Sequence, residues 1–211
     1  MSKDQKNKDF VPDWIEDPPE PGTYRSIFKW GDPGVFKHPN RRLYGLLKEA
    51  LVLTDDDFTT RSPLGDEQVR VRAKTGLARN HVSALAKIAG DGNVHTDGYS
   101  RVRYAFGKTI EEAAKLRRGI IERTADAVVH PGSKEDVRKI VDYCSRHRIP
   151  VHPYGGGSSV NFGLRPSRGG IALVLSTHMN RILGLNETNQ TVRVQAGIMG
   201  PEYERALNHA P

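Results

Sequence analysis

Residues 153–160 read Pro153-Tyr154-Gly155-Gly156-Gly157-Ser158-Ser159-Val160, and the segments on either side decide how that run is understood. Upstream lie the apolar residues 125–129 and His130, then a helical pattern, then a second apolar run at 149–152. Downstream comes a third, 171–175. Strand, helix, strand, glycine loop, strand is the order of a parallel βαβ unit. It puts the loop at the carboxyl end of a buried strand, where open α/β sheets hold ligands. Three residues without a Cβ let the backbone reach φ > 0 and approach a ligand closely. Successive backbone N–H groups in such a bend form an anion nest, to which Ser158 and Ser159 add hydroxyl donors. A pyrophosphate suits that chemistry. The same composition also describes a flexible linker; the strand directly upstream and the stiff entry at Pro153 favour the phosphate loop. The spacing fits neither of the common nucleotide fingerprints, G-x-x-x-x-G-K-[ST] or G-x-G-x-x-G before a helix.

The chain has 211 residues, enough for one large domain or two small ones. No stretch approaches a membrane span in length, and the start, MSKDQKNKDF, has no apolar segment of a secretory signal. One cysteine, Cys144, excludes an internal disulfide and suits a reducing, cytoplasmic setting. Its place on the apolar side of a predicted helix marks it as a structural thiol. The net charge of +7 favours an anionic partner, but the basic residues are scattered. No basic block or RNA-binding motif is present, so no nucleic-acid partner is expected.

Residues 1–40 are polar and proline-rich, and little regular structure is predicted there; Trp14 and Trp30 are expected to drape this arm over a neighbouring surface. Helical spacing of Leu43, Leu46, Leu47, Ala50 and Leu51 predicts a helix over 42–53. Asp55, Asp56 and Asp57 read as a turn capping the next element rather than as a metal cluster. A second helix is predicted over 80–89, ended by Gly90, and a polar stretch follows to Tyr99. Thr109 and Glu112 form a capping box for a helix to about Ile121, with Ile110, Ala113, Ala114 and Arg117 continuing its period. Beyond the strand at 125–129, Ser133 and Asp136 make a second capping box, and Val137, Ile140, Val141 and Cys144 form the apolar stripe. The run 171–175 reads as a strand buried on both faces. Residues 181–196 read as a hairpin turning at 186–190, so the two glycosylation sequons there are turn residues. Gly200-Pro201 opens a last helix with Tyr203, Ala206 and Leu207 on one face.

No histidine pair has metal-ligand spacing and no G-x-S-x-G elbow occurs, so neither a metal nor a catalytic residue is assigned. Difficult chemistry has to come from a cofactor. His130-Pro131-Gly132-Ser133, PYGGGSSVNFGL, Met179-Asn180-Arg181-Ile182-Leu183 and VQAG ending at Gly197 resemble the FAD-binding domain of the vanillyl-alcohol oxidase/p-cresol methylhydroxylase (VAO/PCMH) type, in its alkylglycerone-phosphate synthase branch. The resemblance runs from about Tyr99 to the end, and more weakly through residues 28–33. It implies an α+β fold: a helical amino-terminal region, 1–122, followed by the first α/β lobe of the FAD domain, 123–211. It places the pyrophosphate on Pro153, Tyr154, Gly155, Gly156, Gly157, Ser158 and Ser159, with Val160 and Gly163 walling the cofactor. Many relatives link FAD through a histidine after the loop glycines; Ser158 stands there, so noncovalent FAD is expected. The synthases exchange an acyl for an alkyl chain on dihydroxyacetone phosphate in ether-lipid synthesis, with no net redox change; simpler relatives oxidise 2-hydroxy acids. A non-catalytic nucleotide- or partner-binding module is the other class of reading. The family's later flavin-contacting loops and its cap, with a tyrosine and a histidine cluster, have no counterpart in these residues. The expectation is therefore the amino-terminal portion of a longer or split enzyme, inactive alone, whose partners are FAD, a downstream polypeptide and a small-molecule or lipid-precursor substrate. The resemblance leaves membrane association and a homodimer open.

Overall fold

The computed structural model describes residues 19–28, 41–59, 63–71 and 73–208. Trp14, Trp30 and most of the proline-rich arm lie outside them. Within the arm, a short helix α1 (Tyr24–Phe28) forms where little regular structure was expected. The Thr23 hydroxyl accepts from the Ser26 N–H, and Ile27 and Phe28 bury their side chains.

Helices α2 (Arg41–Leu51) and α3 (Asp55–Thr59) follow. Asp57 accepts from the backbone and hydroxyl of Thr54 at 2.7 and 2.9 Å, the capping expected there. The apolar side of α2 is exposed: Leu46 and Leu51 keep about three-fifths of their surface. Helix α4 (Arg79–Ala89) ends at Gly90, in agreement with the sequence. The polar stretch after it holds two elements that hydropathy does not announce. These are β1 (Val94–His95), a two-residue edge strand, and α5 (Gly98–Arg103), whose first turn is capped by Asp97.

Helix α6 (Ile110–Arg117) begins at the expected capping box of Thr109 and Glu112. Its buried face differs from the predicted one. Ile110 is 90% exposed, and Glu112 and Leu116 point inward. Glu112 turns inward because its carboxylate takes three donors there: Gly107 N, Thr109 N and the Thr109 hydroxyl. A charge with that many partners can be buried at little net cost.

The parallel core is β2 (Ala127–Val129), α7 (Lys134–Arg146), β3 (Val151–Tyr154) and β4 (Ile171–Val174). The sheet order is β1-β2-β4-β3, with β4 parallel to both neighbours and β1 antiparallel to β2. Strand β4 is central and wholly buried, as its unbroken apolar run requires. Pro153 lies within β3 itself, where an edge strand tolerates a residue without an N–H. On one sheet face Leu85, Ala127, Val129, Ile140, Cys144, Ile171 and Leu173 form the main core. On the other, Ala125, Val128, Ala172 and Val174 pack under Tyr104 and Tyr154. Val141, assigned to the buried stripe of α7, is 43% exposed; its helical angle carries it past the sheet. Ser133 caps α7, but Asp136 reaches back to the Gly132 N–H rather than to Ser133, so the box is half formed.

The buried guanidinium of Arg101 stitches the two halves together. It donates to the carbonyls of Ala125 and Ala73 and to the Thr124 hydroxyl. The hairpin β5 (Ile182–Asn186) and β6 (Thr191–Val194) forms its own two-stranded sheet. Helix α8 (Gly200–Asn208) closes the described chain with Tyr203 and Leu207 only half-buried. Among the described residues no helix is long and apolar enough to cross a membrane.

Candidate functional site

Parallel packing of β2, β4 and β3 brings three chain exits to one edge of the sheet. His130 follows β2, Leu175 to His178 follow β4, and the glycine loop follows β3. The loop is anchored at its root by Leu175 N donating to Tyr154 O at 3.0 Å. The segment after β6 crosses the same edge: Gly197 N donates to Met179 O at 2.8 Å. Met199 then comes to rest against Gly156.

The loop has the donors that its sequence promised, differently distributed. Among the described residues, no acceptor takes the backbone N–H of Gly156, Gly157, Ser158, Ser159 or Val160. Ser158 is exposed, with its hydroxyl at hand for a ligand. The Ser159 hydroxyl is not: it donates to Asn161 Oδ1 at 2.9 Å and accepts from Gly163 N at 3.1 Å, closing the far side of the bend. Gly163 is therefore a loop-closing residue. Val160 is 61% exposed and Phe162, at φ 61°, holds a left-handed conformation rare for an aromatic residue. Such an outlier is held in place by its surroundings and accompanies functional loops.

Of the three glycines only Gly157 has positive φ, at 67°. It is also the one with no room behind it, since a Cβ there would collide with the Tyr154 hydroxyl. At Gly156 a Cβ would meet Met199 Sδ at 3.4 Å, an ordinary contact. Tyr154 stands behind the loop rather than in it. Burial, with Tyr104 beside it, pushes its phenol up to about 12, so it stays neutral at any physiological pH. Its ring meets Tyr104 edge-on at 4.9 Å; Tyr104 meets His130 at 5.4 Å, and His130 meets His95 at 5.3 Å. A row of four rings thus runs beneath the carboxyl edge of the sheet. His130 Nδ1 lies 2.7 Å from the Thr177 hydroxyl, and His178 Nε2 lies 2.8 Å from Asn93 Oδ1. Burial foremost, then the nearby His95, His178 and Arg103, push His130 down to about 4.

Sequence reasoning did not place Tyr104, Thr177 or Asn93 at this edge of the sheet, and it named His130 only within the resembled motif. The readable signal was position: His130 directly follows β2, and Thr177 comes soon after β4, at the edge where both parallel strands end. As a test of fit, a bend with five unaccepted N–H groups and an exposed hydroxyl matches the oxygens of a pyrophosphate. It offers nothing of its own for acid–base work.

Residues 125–210 match the family model of the FAD binding domain. The chain is 25% identical over 200 residues to the alkyldihydroxyacetonephosphate synthase of Trypanosoma brucei brucei, covering 85% of this chain and 33% of that protein. It is 30% identical over 123 residues to the glycolate oxidase subunit GlcD of Bacillus subtilis, covering 58% of this chain and 24% of that one. A solved alkyldihydroxyacetonephosphate synthase superposes with a TM-score of 0.68 at 26% identity, over 79% of this chain and 30% of that one. The chain thus spans a third or less of the length of these relatives.

Proposed function

We propose that this chain, whose residues 125–210 match the family model of the FAD binding domain, supplies the pyrophosphate-binding lobe of a flavoenzyme of the PCMH/VAO type. The observation that carries the reading is the run of N–H groups from Gly156 to Val160, at the carboxyl edge of the parallel sheet, that find no acceptor among the described residues. Those amides and the Ser158 hydroxyl hold the diphosphate oxygens, Pro153 and Tyr154 back the bend, and Val160 shields its outer side. FAD, when bound, supplies electron-transfer chemistry that no side chain around the loop offers. Attachment is noncovalent, because residues 153–163 contain no histidine. Acid precipitation of the flavin-loaded protein tests this: the yellow colour is expected in the supernatant, and colour held by the pellet overturns it.

For the reaction, the reading is exchange of an acyl for an alkyl chain on dihydroxyacetone phosphate. Its support is breadth: the likeness to the trypanosomal synthase extends over 85% of the chain, including the amino-terminal half. Oxidation of a 2-hydroxy acid is the second reading, supported by the likeness to the glycolate oxidase subunit at 30% identity over 123 residues. In either case the substrate pocket is proposed to lie on further polypeptide that completes the FAD site. The discriminating experiment loads the complete gene product with FAD. Labelled fatty alcohol entering acyl-dihydroxyacetone phosphate without net flavin reduction supports exchange. Bleaching of the flavin by a 2-hydroxy acid supports oxidation. A colourless preparation that takes up no FAD would sink both.

A further inference from the structure

We propose that residues 104–108, the connection between α5 and α6 in the amino-terminal half, act as a clamp that holds the glycine loop in its anion-binding bend. The inference rests on the reading of that loop as the pyrophosphate cradle, and it adds positioning residues that lie outside the matched stretch 125–210.

The physical need is plain. Neighbouring N–H groups left without acceptors are costly, and a loop left to itself satisfies them by refolding onto its own carbonyls. Something outside the loop has to prevent that. Two contacts do so here, both from residues 104–108.

The first acts through Tyr154. Tyr104 packs on it edge-on, with an interplanar angle of 89°. Tyr104 is held in turn by the His130 ring, and the Arg103 guanidinium lies 5.3 Å from its centroid. Tyr154, so fixed, fills the space behind Gly157 and sets the left-handed turn there. The second acts on the backbone. Lys108 N donates to Ser159 O at 2.7 Å, and Gly107 lies so close to that carbonyl that a Cβ would collide with it. Gly107 is itself fixed, since its buried N–H donates to Glu112 Oε1 at 3.0 Å. The capping network of α6 therefore continues through Gly107 and Lys108 into Ser159, whose hydroxyl closes the bend. Both walls of the loop are set from the amino-terminal half, and preorganised donors bind an anion without a reorganisation cost.

The test uses the full chain with Tyr104→Leu, Tyr104→Phe and Gly107→Ala. Two quantities are read: backbone order parameters of residues 155–163 without FAD, and the dissociation constant for FAD. With Tyr104→Leu the loop order parameters are expected to fall from about 0.85 to below about 0.6, while those of α7 stay unchanged. FAD affinity is expected to drop about tenfold, equivalent to about 1.4 kcal/mol. Tyr104→Phe should restore both, because the edge contact uses the ring and not the hydroxyl. Gly107→Ala gives the same loss from the other wall and keeps the question open to test if Tyr104→Leu does not fold. A loop that stays as ordered as in the unsubstituted chain, in both Tyr104→Leu and Gly107→Ala, overturns the clamp. So does a Tyr104→Phe variant as impaired as Tyr104→Leu. If the complete gene product, unsubstituted, takes up no FAD, the cradle reading falls, and the order parameters alone still decide whether the clamp exists.

Discussion

Gly157→Ala and Gly156→Ala are adjacent substitutions of equal size, and they should behave very differently. At Gly157 the backbone sits at φ 67°, a region that disfavours an L side chain by about 1–2 kcal/mol. The new methyl would also collide with the Tyr154 hydroxyl. Tyr154 then has to leave Tyr104, an aromatic contact worth about 0.5–1.5 kcal/mol beyond its buried area. The two penalties come to about 1.5–3.5 kcal/mol, and the loop escapes them by turning Gly157 out of its bend. Cradle geometry is lost in doing so. A tenfold change in affinity corresponds to about 1.4 kcal/mol, so FAD should bind roughly ten- to three-hundredfold more weakly. Gly156 has no positive φ, and its methyl would rest on the adaptable Met199 side chain; the change there should stay within about threefold. Quenching of flavin fluorescence during titration measures both, and thermal unfolding checks that each variant folds. Equal losses at the two positions, or unchanged binding by Gly157→Ala, would refute the assignment of the bend.

Glu112→Ala removes a cap and leaves the buried Gly107 N–H without an acceptor, so denaturant titration should show a loss of about 2–3 kcal/mol. His130, at about 4 in the folded chain against an ordinary value of 6.5, is held neutral by burial. Its contribution to stability is therefore complete above about pH 6.5 and is lost as pH falls toward 4, by at most about 1.4 kcal/mol per unit. Urea midpoints at the two ends of that window should differ in the unsubstituted chain and converge in His130→Gln. Cys144 is fully buried and its thiol is pushed up to about 11, so it should resist a thiol reagent until the chain unfolds; rapid labelling of the native protein would contradict its placement under the sheet.

Much of this architecture could be read from residue patterns, for identifiable reasons. The run 171–175 has no polar position, so only a doubly covered strand accommodates it. Thr109 with Glu112, and Gly90 after an apolar period, mark helix ends by local chemistry that tertiary context did not override. Strand β1 escaped because two residues cannot show a period, and it exists only through pairing with β2. The facing of α6 was misread because hydropathy assigns Glu112 to solvent, whereas three donors waited for it inside. At the loop, glycine and serine content pointed to a nest. It did not separate Gly157 from Gly156, or a free Ser158 hydroxyl from the engaged one of Ser159. Those differences depend on Tyr154, Asn161 and the segment 104–108, which reach the loop through the fold.

The account stands most directly on the loop amides being the groups that meet a diphosphate. A 15N-labelled full chain titrated with ADP to millimolar concentration reads each of them separately, and detects weak binding as well as strong. The amide signals of Gly156, Gly157 and Ser158 are expected to move together and saturate, with those of the hairpin turn at 187–190 staying where they are. Loop amides that do not shift while others elsewhere do, or no saturable shift at all, would contradict it.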